Sequence, residues 1–209
     1  MLRTTLATMA LSLLGWWCAA WITQDFQVWT AEGARRLTVI EQPVAAPKVA
    51  LAGPGLNDTD LHTWLTGTGR ATIVDFVYAR CPTVCTRLGS GFQQLQQSLS
   101  KSPTDGVKLL SISFDPAHDD ASSLQRYAAQ WRADPNRWGI ATVRDSDQLR
   151  RLLTTFQVVV IDDGSGGYEH NAALLVVDGH GRLARIFDDT ELELALNYAR
   201  SIAQRRARE

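Results

Sequence analysis

Residues 71–85 read ATIVDFVYARCPTVC, and the change of pattern inside this stretch decides the fold. Ala71 to Ala79 is a nearly continuous apolar run of strand length, which suits a strand buried on both faces. Asp75 interrupts it. Pro82 predicts the first residue of a helix, where its missing N–H costs nothing, and this makes Cys81 the cap and puts Cys85 one turn in. The helix continues through Val84, Leu88, Phe92, Leu95 and Leu99, apolar positions that keep a 3.6-residue period.

Working outward, the same alternation repeats. Before the strand, Asp58-Thr59-Asp60 caps a short helix through Leu65 that Gly67 and Gly69 end. After the helix, Val107 to Phe114 is a second buried strand, and Asp119 or Asp120 caps a helix to about Trp131. Gly139 to Val143 predicts a short strand, Asp145 caps a helix through Leu153, and Phe156 to Ile161 predicts another strand. A polar loop, Asp162 to Gly167, follows. Ala172–Val177 and Leu183–Phe187 form a hairpin across Asp178-Gly179-His180-Gly181, and Thr190 starts a final amphipathic helix. Alternation first and a hairpin last imply an α/β fold, a mixed sheet with helices on both faces.

The N-terminal segment has a different character. No charged residue lies between Arg3 and Asp25, and residues 6–22 read LATMALSLLGWWCAAWI. A helix of roughly 20 residues nearly crosses a bilayer core of about 30 Å. Arg3 on the short side and Trp16, Trp17 and Trp21 at the far end fit a signal anchor that leaves the rest of the chain outside the cytoplasm. Cys18-Ala19-Ala20 keeps a cleaved signal peptide open as the alternative. Residues 24–57 read as a tether with a peripheral strand around Leu37-Thr38-Val39-Ile40. With 45% hydrophobic residues and a net charge of −1, the chain has room for one core and none of the basic field a nucleic-acid partner demands. Arg205, Arg206 and Arg208 are a solvated helix end.

Outside the first segment only Cys81 and Cys85 remain, too few for a disulfide framework and too close together for a bridge to add much stability. Free N–H groups at the helix start favour a thiolate at Cys81. Residues four apart on a helix hold their Cβ atoms roughly 5–6 Å apart, wider than the about 3.5–4.5 Å of a relaxed disulfide. A bridging metal spans that gap, although a cap residue outside regular helix geometry leaves a disulfide open. Two soft thiolates suit Cu(I), and a third ligand of the His type would complete the site. Of the four histidines, His62 and His180 read as surface residues. His118 lies in a strand-to-helix loop, either solvated or near the site. His170 ends the Gly-rich loop and precedes an apolar strand, where a loop can carry a ligand to a rigid helix. Asp75 either meets a partner such as Arg80 or serves as a proton acceptor with a raised pKa for the buried cysteine.

The stretch Val74 to Cys81 resembles the strand entering a thioredoxin active site, with three residues between the cysteines instead of two. That spacing, with Ser113-Phe114-Asp115-Pro116 and Glu169-His170-Asn171, resembles the SCO/SenC family of copper chaperones over roughly residues 58–189. The chain departs from many members in carrying Thr86 where they have Pro. The resemblance implies a thioredoxin-like mixed sheet flanked by helices, preceded by a single N-terminal transmembrane helix. It implies residues 1–23 as anchor or signal segment, 24–57 as tether and peripheral strand region, and 58–209 as a copper-binding domain. Copper, as Cu(I) or Cu(II), would sit on Cys81, Cys85 and His170, with Asp115 near the site but not a ligand. The implied role is assembly of the copper-A centre of cytochrome c oxidase, in the bacterial inner membrane with the soluble domain in the periplasm. The partner would be the copper-accepting subunit of a terminal oxidase. The alternative role is thiol–disulfide exchange, in which Cys81 attacks, Cys85 resolves and Asp75 accepts a proton.

Overall fold

The computed structural model describes residues 2–23, 26, 28–56, 59–67, 71–81, 84–101 and 106–206 of the 209. The expectations for Asp58, Gly69 and Pro82 lie outside the described residues. Seven helices and ten strands follow in chain order among the described residues: α1 (Leu2–Ile22), α2 (Ala31–Glu41), β1 (Val44–Ala45), β2 (Ala50–Leu51), β3 (Thr59–Asp60), α3 (Leu61–Gly67), β4 (Ala71–Val77), α4 (Val84–Ser100), β5 (Val107–Ser113), α5 (Ala121–Trp131), β6 (Trp138–Thr142), α6 (Ser146–Thr155), β7 (Val160–Asp162), β8 (Tyr168–His170), β9 (Ala173–Val177), β10 (Arg182–Asp188) and α7 (Leu192–Arg206).

Six strands form the central sheet, in the order β1-β10-β9-β4-β5-β6. β4, β5 and β6 are parallel, while β9 runs antiparallel to β4 and β10 antiparallel to β9. This is the mixed α/β sheet that alternation followed by a hairpin predicts. β4 is buried along its whole length because helices cover both faces. Fully buried Trp138 of β6 packs on Phe92 of α4, with ring centroids 5.4 Å apart, on one face. Phe76 of β4 packs edge-on against Phe156 at the end of α6, 6.3 Å away, on the other. The helical period of α4 works as expected, with Leu88, Phe92, Leu95 and Leu99 all in the core. Asp60, Asp120 and Asp145 cap α3, α5 and α6 by accepting the N–H groups of Thr63, Ser123 and Gln148.

Two local expectations are corrected. Leu37–Ile40 is helical, part of α2. Thr30 caps that helix by accepting the Gly33 N–H, Val39 is fully buried, and Arg35 reaches inward to the Phe156 carbonyl. Residues 156–161 are not a strand of the main sheet. Phe156 ends α6, Gln157 turns the chain with φ 53°, and only Val160–Asp162 pair, with β8, in a separate two-stranded ribbon. Val159 and Ile161 of that stretch are exposed.

α1 is long and apolar enough to cross a membrane by length and composition, and its described residues are not buried against the domain. α5 crosses close to α4 because Gly89 lets it. A Cβ on Gly89 would stand 2.2 Å from the Trp131 ring. Gly89→Ala should therefore destabilise the protein by about 1–3 kcal/mol through overpacking, although Ala is the better helix former by about 1 kcal/mol. Urea unfolding measures the sign. Trp131→Ala in the same chain should turn the Gly89→Ala effect from a loss into a gain.

Candidate metal and redox centre

The site is built at the end of β4. After Val77 the chain turns, with the Cys81 N–H donating to the Tyr78 carbonyl at 3.2 Å. The Cys81 Sγ accepts the Cys85 N–H at 3.2 Å, so the sulfur does part of a cap's work for α4. Both cysteines are free thiols. Cys81 is half-buried, whereas Cys85 is only 2% exposed. Burial, with Cys81 and Asp75 adding, pushes the Cys85 thiol well above the ordinary range. The two thiols therefore differ in kind: Cys81 is within reach of solvent, and Cys85 is sealed behind it.

Asp75 lies deeper on the same strand and has no exposed surface. Arg80, the partner considered for it, pairs instead with Asp115 at 3.0 Å. Neither Asp75 carboxyl oxygen has a hydrogen-bond partner. Its in-register neighbour on β5 is Ser111, whose Oγ already accepts the Trp138 indole N–H at 2.9 Å. Burial raises the Asp75 pKa to about 7, and the nearby Ser111 hydroxyl only partly opposes this. Tyr127 of α5 turns its hydroxyl into the same interior, also buried and without a partner. Its pKa is pushed up by burial first and then by Asp75 and the cysteines. A carboxyl, a phenol and a thiol thus share one dry region between the sheet and α4 and α5.

Two further carboxylates shape the loop after β5. Asp115, 2% exposed, accepts from Arg80 and from the His118 Nδ1 at 2.9 Å. Asp119 accepts the Ala79 N–H at 2.9 Å and the Ser113 hydroxyl, and burial raises its pKa. This loop therefore braces residues 79 and 80, immediately before Cys81, from below. His118 is half-exposed and is held by Asp115.

His170 is not on a free loop. It ends β8 of the ribbon, opposite Val160 of β7. Its ring packs on Phe114, 5.1 Å between centroids. Both ring nitrogens are buried and without hydrogen-bond partners, and burial lowers the imidazole pKa, which favours the neutral, metal-binding form. His170 adjoins a cluster of three aromatic rings. Tyr78 packs on Phe114 at 5.4 Å and on Tyr168 at 5.3 Å, and Phe114 packs on Tyr168 at 5.6 Å. Among the described residues no three His, Cys, Asp or Glu side chains converge closely enough to hold a metal ion. Cys81, Cys85 and Asp75 are brought together. His170 lies on the separate β7–β8 ribbon, packed on Phe114. Sequence reading missed Tyr78, Asp119, Tyr127 and Tyr168. For Tyr78 the one available signal was a phenol, with a polar end to satisfy, in an otherwise apolar strand.

The SCO1/SenC family model matches residues 58–204. The chain is 23% identical over 125 residues to the SCO1 protein homolog of Bacillus subtilis strain 168, covering 59% of this chain and 64% of that relative, so it spans less than two thirds of the curated protein. The structure of BsSco, a member of the Sco family of cytochrome c oxidase assembly proteins for which a disulfide switch is described, aligns with TM-score 0.67 at 18% identity. That alignment covers 78% of this chain and 95% of the other. Bradyrhizobium japonicum ScoI with copper bound aligns with TM-score 0.62 at 20% identity, covering 76% and 99%. At these identities the structures establish the shared thioredoxin-like fold.

Asp75 gives the domain a definite pH dependence. Its folded pKa of about 7 lies above the ordinary value of 3.8, so the folded state holds the proton more tightly. Stability from this group is full below about pH 4 and is lost as pH rises toward 7, by roughly 4 kcal/mol at most at about 1.36 kcal/mol per unit. Asp75→Asn should leave urea stability at pH 4 nearly unchanged and raise it at pH 8. Equal effects at both pH values would show that Asp75 is not a buried acid.

Proposed function

The chain belongs to the SCO1/SenC family, and on that basis we propose that it is a membrane-tethered copper chaperone that carries copper on Cys81, Cys85 and His170. The observation that carries the reading is the His170 imidazole. Two buried ring nitrogens without partners cost about 1–3 kcal/mol for each hydrogen bond forgone. A fold retains such a group where a ligand repays it. Two thiolates and a neutral imidazole suit Cu(I), and the same set accepts Cu(II). Cys85 enters the site as a buried thiol that must lose its proton to bind, so loading releases protons and favours higher pH. Because the imidazole rides on the β7–β8 ribbon and the thiols on the turn and helix after β4, loading draws the ribbon and the cysteine turn together, and release lets them part.

The acceptor in this reading is the copper-accepting subunit of a terminal oxidase, whose copper-A centre the protein helps assemble. α1 anchors the chain in the inner membrane of a bacterium, with the domain on the periplasmic side. Anaerobic titration of the full-length reduced protein in detergent should give one Cu(I) per chain. His170→Ala should weaken binding by at least about 10–100-fold, the loss that even outer-shell changes produce around a metal, with both thiols still titratable. If His170→Ala holds Cu(I) and Cu(II) as the parent does, the three-ligand site is wrong.

A second reading, thiol–disulfide exchange, is favoured by Asp75 behind Cys85. Here the Cys81 thiolate attacks a disulfide of the acceptor. Cys85 then displaces the acceptor's thiol, which leaves a Cys81–Cys85 disulfide and a reduced acceptor, and Asp75 takes the Cys85 proton. The two readings separate by mutation. Asp75→Asn should slow reduction of a model peptide disulfide at pH 7 by about 10²-fold or more, the size of a general-base contribution, and leave copper stoichiometry at one. His170→Ala should do the reverse.

A further inference from the structure

α1 does not pass into the domain through an extended tether. Its last turn runs into a compact one, and the chain doubles back. Thr23 donates its hydroxyl to the Ala19 carbonyl at 2.6 Å, and the same oxygen accepts the Phe26 N–H at 3.1 Å. The Thr23 carbonyl accepts the Val28 N–H at 3.0 Å. Phe26 reverses the chain with φ 63°, a left-handed conformation that a bulky residue rarely adopts. The reversal brings the Phe26 ring against Trp16 of α1, 4.7 Å between centroids, and Trp29 stands 6.1 Å from Phe26. The interval from Trp16 to Ile22 is roughly 9 Å of helix at about 1.5 Å per residue. Phe26 therefore lies beside the last two turns of α1 rather than beyond its end, with Trp29 against it.

Trp16, Trp17, Trp21 and Trp29 are all exposed, Trp29 at 74%. Indoles gathered at one end of an apolar helix are costly in water and favoured at the boundary between headgroups and hydrocarbon, where the ring is dry and its N–H end wet. The polar groups of the turn point the same way. The Phe26 carbonyl accepts the Trp29 indole N–H at 3.2 Å, and the Phe26 and Val28 N–H groups are bonded within the turn. A turn in water can leave such groups to solvent, whereas one beside lipid must satisfy them itself. We propose that Phe26 and Trp29 seat in the interface of the bilayer that α1 spans, as a lipid-docking turn that starts α2 at the membrane surface. The inference rests on the reading of α1 as a retained anchor, and it goes beyond that reading. An anchor alone leaves the domain free to swing. Here Thr30, next in the chain, caps α2, and α2 is joined to the domain through buried Val39 and through Arg35, which reaches the Phe156 carbonyl at 3.2 Å. The domain is thus held at a set height, and a partner in the same membrane meets the cysteine turn from a limited range of directions.

Fluorine NMR of the full-length protein labelled with 5-fluorotryptophan, in phosphatidylcholine bicelles, reads each indole separately, and Trp29→Phe assigns the Trp29 signal. A phospholipid whose headgroup carries chelated gadolinium is then added. The Trp29 signal should broaden together with those of Trp17 and Trp21, while that of Trp138, fully buried in the domain, stays sharp. Phe26→Gly removes the ring that links Trp29 to α1. In that variant the Trp29 signal should lose its broadening while Trp17 keeps it, with the Trp138 signal unmoved as the sign of an intact domain. A sharp Trp29 signal beside broadened Trp17 and Trp21 signals would overturn the docking turn and leave the anchor standing. Sharp signals from Trp17 and Trp21 as well would remove the anchor, and the docking turn with it. Unchanged broadening of Trp29 in Phe26→Gly would overturn the part assigned to Phe26.

Discussion

β4 is paired along both edges and covered on both faces, and the rest of the site depends on that constraint. β5 and β9 hold its backbone, and seven consecutive residues are buried. A strand so confined has one free direction, out of its C-terminal end, and there it delivers Tyr78 and Cys81. The turn that follows is braced by backbone and carboxylates rather than by apolar packing. The Ala79 N–H goes to Asp119, Arg80 to Asp115 and the Cys81 N–H to Tyr78. Rigid strand and braced turn together fix where the reactive sulfur stands.

The cost of this arrangement lies in polar groups left unsatisfied. Asp75, Tyr127 and His170 all present buried atoms without partners, alongside Arg35, Thr72, Asp119 and Trp131. Folding alone would favour apolar residues at each position, since an unpaired buried polar group destabilises by about 1–3 kcal/mol. Where such groups are titratable and neighbour thiols, as Asp75 does, they are candidates for chemistry. In the proposed readings Asp75 and His170 divide the labour: the carboxyl serves the proton of Cys85, and the imidazole serves the metal.

Much of the fold was legible because the sequence states it redundantly. Continuous apolar runs gave β4, β5 and β9, and the 3.6-residue period gave α4. Aspartates marked the starts of α5 and α6. The failures have physical reasons. Phe156 and Val158 are buried, so residues 156–161 look like a core strand, yet the left-handed Gln157 turns the chain out of the sheet and exposes Val159 and Ile161. Leu37–Ile40 contains β-branched residues that favour a strand locally, but the Thr30 cap and the burial of Val39 against the sheet decide for helix. The cysteines and Asp75 could be read from one stretch because they are neighbours in sequence. Tyr78 could not be assigned a role, because its partner, Tyr168, lies 90 residues away.

The separation of the donors follows from the same geometry. A site preassembled with two thiolates and an imidazole would bind copper tightly and part with it slowly, which suits a storage protein better than a carrier. Here the thiols stand on the turn and helix after β4, and the imidazole rides on a two-stranded ribbon outside the main sheet, packed on Phe114. In the carrier reading proposed above, binding moves one element against the other, and that movement subtracts from affinity, since a binding-competent arrangement populated only in part weakens the apparent constant by its population. Aromatic contacts such as that of Phe114 with His170 are worth about 0.5–1.5 kcal/mol each beyond burial, enough to define a resting position and little enough for a metal to displace. On that reading the aromatic contacts of the ribbon set how much of the copper–ligand energy is spent on closure, and so how readily the cargo leaves.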